Sequence, residues 1–407
     1  MPIRKTVAIT ALATGAAVVA IPLLAQQGPA SDPVARYDMR AGTLSGMGAM
    51  GSGMGGAMGM MLGGGGNRAQ KELHLRIGSS RTAERGAPKA EHFMPAGMKL
   101  GKSVQLVTPR GEREPDEFGE QRPKGRLLIY WGCGERAPRG QPVVIDFAKL
   151  AAGQVPPGLW TATIIRDWGP TAANSRTFAR WPAEDGKFAK PDSILPGAHR
   201  VAGNYNPEMA FTLSKDFMQP LSVNPVANAT GSTLLRWGAI PDATGYLAWM
   251  FGGKRGPGDE MGDMVMWSSS ASRQFGGGLS DWLTPGQVAG LVRDRTVLAP
   301  SVTTCTIPAE VKLAAPDFRM GMLTAFGPME DFAYPPRPAD PRAAWHLEWT
   351  ARIRHRSMAS WMDMPGMGGM MGAQGQGQEL SPQQPQNCLS RRGGLGGILG
   401  GVLRPGC

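Results

Sequence analysis

Sulfur is the most concentrated chemistry in this chain: 25 of its 407 residues are methionine. Met58, Met60 and Met61 crowd one Gly-rich tract, and Met358, Met362, Met364, Met367, Met370 and Met371 crowd a second. A thioether is a soft ligand that selects Cu(I) over harder ions and needs no deprotonation to bind. With His355 beside the second tract, these ten residues are the candidate ligands of a copper(I) or soft-metal site. The plain alternative is a low-complexity Gly/Met linker, because the spacing is irregular and no histidine regularly accompanies the sulfurs. Met264 and Met266 read equally well as core of a strand, since methionine packs irregular gaps.

Other chemistry is sparse. The chain has no HExxH, no GxSxG and no EF-hand loop. Gly101-Lys102-Ser103 lacks the glycine that a phosphate-binding loop needs at position 96, which is Ala. The five histidines are dispersed, with His74 and His346 at solvent-facing strand positions and His92 and His199 near turns. Cys133 with Glu135 could pair a nucleophile and a base, but a bridged cysteine is the stronger reading. Glu114, Asp116 and Glu117 are the acidic candidates for a carbohydrate-active enzyme or its accessory module, which requires paired carboxylates in a cleft. They sit in one turn, where a solvated charge run is the default. No catalytic residue and no cofactor is assigned, apart from the copper alternative.

The compartment is written at the N-terminus. Arg4 and Lys5 precede an apolar, Ala-rich run from Val7 to Leu24, as in a signal peptide of residues 1–25. An uncleaved anchor helix is the alternative, and the run barely reaches spanning length. The four cysteines, Cys133, Cys305, Cys388 and Cys407, fit an oxidising compartment and allow three pairings. Cys133–Cys305 with Cys388–Cys407 is preferred, and free thiols remain an alternative. The expected location is outside the cytoplasm: periplasmic, outer-membrane-associated or secreted, with no transmembrane span in the mature chain.

The net charge of +11 favours anionic partners. The basic residues are scattered, without a dense basic helix, so nucleic acid is not expected. An envelope protein or an anionic envelope surface or glycan fits better.

With 58 glycines and 35 prolines, regular helix is hard to sustain, and short strands with turns are expected. The chain divides into a Met/Gly-rich flexible linker (26–70), a β-rich domain (71–218), a second β-sandwich (219–356) and a Met/Gly/Gln-rich tail (357–407). Strands are expected at 73–77, 104–107, 126–131, 143–147, 160–165 and 209–213. The stretch 167–198 reads as a long surface loop. In the second unit, strands are expected at 221–223, 233–237, 246–251, 264–267, 303–307, 318–326 and 345–355. Thr284 and Pro285 announce a helix through Val292. Tyr246 to Phe251 is apolar on both faces and belongs in the middle of a sheet. The alternation of 345–355 puts Trp345, Leu347, Trp349, Ala351 and Ile353 inward, with a solvated basic face carrying Arg352 and Arg354.

The pattern Trp237…Ile240-Pro-Asp-Ala-Thr-Gly-Tyr246 resembles strands B and C of a fibronectin type III domain, with 318–326 and 345–353 where strands F and G run. That resemblance covers about residues 219–356 and implies a scaffold or binding role. The fold class is all-β: two sandwich-like domains between Met/Gly-rich segments. The function expected is that of an exported, non-catalytic cell-envelope protein with a scaffold or binding role. The Met tracts resemble methionine motifs of exported copper-handling proteins, which gives the copper alternative its second support.

Overall fold

Alternating residues and frequent turns produce an all-β protein. The computed structural model describes residues 30–47, 69–109, 125–154, 165, 167, 169–183, 187–256, 261–274, 278–279, 282–340 and 342–363. Sixteen strands follow in order. The first nine are β1 (Ala35–Gly46), β2 (Gln70–Ser79), β3 (Ala90–Phe93), β4 (Ser103–Leu106), β5 (Arg126–Trp131), β6 (Val143–Asp146), β7 (Thr177–Trp181), β8 (Gly197–Gly203) and β9 (Met209–Leu213). The rest are β10 (Val223–Ala227), β11 (Thr233–Trp237), β12 (Gly245–Arg255), β13 (Met261–Ser268), β14 (Thr304–Ile307), β15 (Phe318–Tyr334) and β16 (Trp349–Asp363). Among the described residues three short α-helices accompany them: α1 (Phe147–Ala151), α2 (Pro285–Arg293) and α3 (Ala309–Ala314). Thr284 and Gln287 close a capping box on α2, as the sequence led one to expect. Among the described residues no helix is long and apolar enough to cross a membrane.

A nine-stranded sheet in the order β6-β5-β13-β12-β15-β16-β1-β2-β7 carries two smaller sheets on one face. The three-stranded sheet β10-β11-β14 packs over its β13–β16 end, where Leu235, Trp237, Cys305 and Ile307 meet Tyr246, Ala248, Trp267 and Leu323. The four-stranded sheet β4-β3-β8-β9 packs over its β1, β2, β7 end, where Val201 and Phe211 meet Tyr37, Met39 and Leu75. Between them the segment 216–221 crosses the sheet on a polar seam. Thr43 and Ser45 donate to the Met218 and Leu221 carbonyls, and Ser357 donates to Gln219 and accepts from the Leu221 amide.

The sheet β10-β11-β14 faces β13-β12-β15-β16 as a sandwich. Trp237 of β11 and Tyr246 of β12 touch at 5.6 Å between ring centroids, and the Tyr246 hydroxyl accepts from the Ile240 amide. β12 is internal to the sheet, with Tyr246 and Ala248 in one core and Leu247 in another. The turn between the strands uses Asp242 at φ 64°, a left-handed conformation that Asp tolerates.

Several expectations are corrected. Residues 35–46, read as linker, form β1, whose Tyr37, Met39 and Ala41 alternate into the core. Glycine density further along masked that period. The tail reading of 357–407 fails at its start: Ser357 to Asp363 continue β16, with Ala359 and Trp361 in the sandwich core. The strand paired with 319–326 is therefore 356–363, and Trp349 to Ile353 belong to the other core. The long loop 167–198 is interrupted by β7, which closes one edge of the large sheet. The boundary at 218/219 separates the two small sheets, while the large sheet draws strands from both sides and falls in a single unit, Met1–Pro365. The strand expected at 160–165 lies outside the described residues apart from Ile165.

Candidate functional site

The outward face of β16, β1 and β2 gathers the densest polar chemistry. β1 runs parallel to β16 and antiparallel to β2, and this pairing sets its outward residues in rows. Arg352, Asp38 and Arg76 form the first row; Arg354, Arg40 and His74 the second; Arg356, Gly42 and Glu72 the third. Arg354 beside Arg40 would repel across the strands. Asp38 resolves this by accepting from Arg40 Nε at 2.8 Å and from Arg354 Nη2 at 2.7 Å. Asp167 enters from the connection above, pairs with Arg40, accepts from Arg354 at 3.1 Å and lies 3.7 Å from Arg76. In the third row, a Cβ on Gly42 would lie 2.2 Å from Glu72 Oε1. Its absence lets Glu72 pass over β1 and accept from Arg356 at 2.8 Å. Trp282 caps this end, with the Arg356 guanidinium 3.9 Å from its ring centroid and its carbonyl accepting from Arg354.

This overturns the solvated setting expected for Arg354, while Arg352 stays exposed beside Asp331. The Arg354 and Asp38 side chains are 4% and 2% exposed. Burial raises the pKa of Asp167, but Arg40 and Arg354 outweigh it and hold the carboxyl below its ordinary range. Burial likewise works against Glu72, where His74 and Arg356 prevail and lower it. Asp167 and Glu72 are thus held as anions and are poor proton donors near neutrality. Positive charge is in surplus: Arg40, Arg76 and Arg354 share Asp38 and Asp167, and burial together with the neighbouring Arg40 lowers Arg76. Beyond the first row, a surface hollow of about 410 Å³ is lined by Arg36, Gly78, Asn174, Ser175 and Arg176.

The opposite face holds a second polar group, a correction to the dispersed, exposed histidines. His92 and His199 are buried and adjacent. The Leu195 carbonyl can only accept, so His199 Nε2 donates to it at 2.8 Å. With both rings neutral, His92 Nε2 then donates to His199 Nδ1 at 2.9 Å and the Tyr37 hydroxyl donates to His92 Nδ1 at 2.6 Å. Burial lowers both imidazoles, His92 further because His199 adjoins it. The chain ends on a backbone carbonyl within the core, so it acts as packing.

The residues singled out from sequence are separated by the strand period. His355 points to the core, its side chain fully buried, while Met358 and Met362 project from the other face of β16. His355 therefore cannot share a metal with them. Met58, Met60, Met61, Met364, Met367, Met370 and Met371 lie outside the described residues, as do Glu114, Asp116 and Glu117. Cys133 and Cys305 lie at disulfide distance with Cα atoms 5.1 Å apart, tying the connection after β5 to β14. Cys388 and Cys407 are outside the described residues. Among the described residues, no three His, Cys, Asp or Glu side chains gather as a metal site.

The ladder was missed because its parts lie far apart in the chain. Its one local signal was the alternation Arg36-Tyr-Asp-Met-Arg-Ala-Gly42 inside the presumed linker. No protein-family model and no curated protein matches this chain in sequence.

Proposed function

We propose that this is an exported, non-catalytic cell-envelope protein with a scaffold or binding role, and that it holds an anionic envelope surface or glycan at its cationic hollow. The observation that carries the reading is the hollow beside the ladder, where Arg36 and Arg176 outnumber Asp32 around Gly78, Asn174 and Ser175. The ladder behind it is tied by ion pairs across three strands and so forms a stiff support. Its carboxylates are engaged by guanidinium groups, which favours binding over acid–base chemistry. The net charge of +11 adds long-range attraction for polyanions. The basic, apolar N-terminal run and the Cys133–Cys305 pair support export.

Retention of the full chain on an immobilised sulfated polysaccharide, at low and raised salt, tests this. Wild type should be retained and released by salt, and Arg36→Ala/Arg176→Ala should elute earlier with its fold intact. Equal retention of the two proteins, or none for wild type at low salt, rules out the hollow as the binding site. Fractionation of cells making the full chain tests the location; recovery in the cytoplasm alone contradicts export.

A further inference from the structure

We propose that Met320, Met322 and Met362 form a Cu(I) site on the outward face of β15 and β16. The site goes beyond the scaffold reading and does not depend on it. Its residues come together through register. Met320 is the direct antiparallel partner of Met362, and Met322 is the partner of Ser360. Directly opposed residues have Cβ atoms about 5 Å apart, and diagonal neighbours about 7–8 Å. Residues two apart on one strand stand about 7 Å apart on the same face. Three flexible thioethers therefore rise from one triangle of the sheet, each long enough to reach its centre.

The face is established by its neighbours. Leu323, Ala325, Ala359 and Trp361 belong to the sandwich core, so the alternate residues Met320, Met322, Met358 and Met362 point away from it. Met320 and Met362 are 48% and 38% exposed, large apolar side chains left open to solvent on neighbouring strands. Register extends the row through Phe251 on β12 to Met266 on β13, which screens one flank with apolar groups. Met358 stands diagonal to Met322 on the other flank.

Packing alone does not account for this composition. An exposed sheet face is served by Thr or charged residues and a covered one by Val or Ile. Unbranched thioethers stay mobile on a strand, and what they add is soft, neutral donors. Three such donors suit Cu(I), which accepts low coordination numbers, and they exclude Zn²⁺ or Mg²⁺, which prefer nitrogen, thiolate or oxygen ligands. No proton leaves on binding, so affinity should not vary with pH as it does at histidine or cysteine sites.

The test uses the full chain labelled at its methionine ε-methyl carbons, with the three resonances assigned from single Met→Leu variants. Cu(I) is supplied anaerobically as its bicinchoninate complex. At the first equivalent, the methyl signals of Met320, Met322 and Met362 should shift together. Met320→Leu/Met322→Leu/Met362→Leu should lose that equivalent, with first-site affinity falling by roughly 10- to 100-fold. Met264→Leu should bind as wild type. Should the triple variant fold poorly, Met362→Leu alone must still weaken the site. Unshifted signals from these three methyls while others move, or unchanged affinity in a folded triple or single variant, overturns the proposal.

Discussion

β16 crosses two neighbourhoods and presents a different outward chemistry in each. Arg354 and Arg356 are locked to carboxylates on β1, β2 and the 167 connection, while Arg352 before them pairs with Asp331 of β15. From Met358 to Met362 the outward residues are two thioethers about Ser360, and neither Met358 nor Met362 carries a charge to fix its place. The inward residues are apolar at both ends, Ala351 and Ile353 in one core and Ala359 in the other. The two ends thus differ in how tightly the outer face specifies its neighbours. A buried ion-pair grid tolerates one geometry, because a shift leaves a charge unpaired. A methionine face tolerates many, because its side chains are flexible and soft.

The largest break in that comparison should come from Asp38→Ala. It strips Arg40 and Arg354 of their shared carboxylate, and buried pairs broken from one side cost about 3–5 kcal/mol. Urea denaturation reads the change; a loss under about 1 kcal/mol would show the grid to be solvated. Next, Cys133→Ser/Cys305→Ser should cost about 2–5 kcal/mol in the same measurement. An unchanged midpoint relative to the oxidised protein would mean that the pair is not bridged.

Acid separates the ladder from the seam between the two cores. Burial lowers His355 to about 4, against the pull of Glu330, whose carboxylate lies 4.0 Å away. The unfolded chain then takes up a proton near the ordinary histidine pKa of about 6.5 while the folded protein does not. The stability this contributes is present above pH about 6.5 and is lost as pH falls towards 4, in total about 3 kcal/mol. His92 and His199, also lowered, add loss in the same direction. Asp167 and Glu72 are lowered carboxylates, so their contribution persists through that window and is lost only below their ordinary range. His355→Leu should therefore flatten the stability profile between pH 6.5 and 4 and leave the steeper loss below it. A parallel profile would assign the slope to the other two histidines.

Smaller effects sharpen the contrast. Tyr37→Phe leaves His92 Nδ1 buried without a donor and should cost about 1–3 kcal/mol. Met358→Leu, on the permissive end of β16, should cost less than about 1.5 kcal/mol. If Met358→Leu proves as damaging as Asp38→Ala, the two ends of the strand do not differ as described.

Much of the fold was legible wherever alternation was short-range and undisturbed. β5, β9 and β11 fall on the residues expected, and α2 begins at its capping Thr284. Trp237 and Tyr246, on strands of the two facing sheets, meet in the sandwich core. β1 and the end of β16 were hidden because their glycines and methionines resembled the low-complexity tracts beside them. Little of the candidate site was legible. Arg354 looked like any outward arginine on an alternating strand, and nothing near it named Asp38, 316 residues away, or Asp167.

The sequence by itself determined the all-β class and the period of strands such as β5, β9 and β11, because these follow from side-chain size, polarity and turn chemistry; Cys133–Cys305 was a preference among three pairings. Only the tertiary structure decided that one sheet joins both halves, that His355 turns away from Met358, and that Asp38 meets Arg354. Those outcomes depend on which strands become neighbours and in what register. A shift of one residue would reverse every face, and pairing between segments 300 residues apart leaves no local trace.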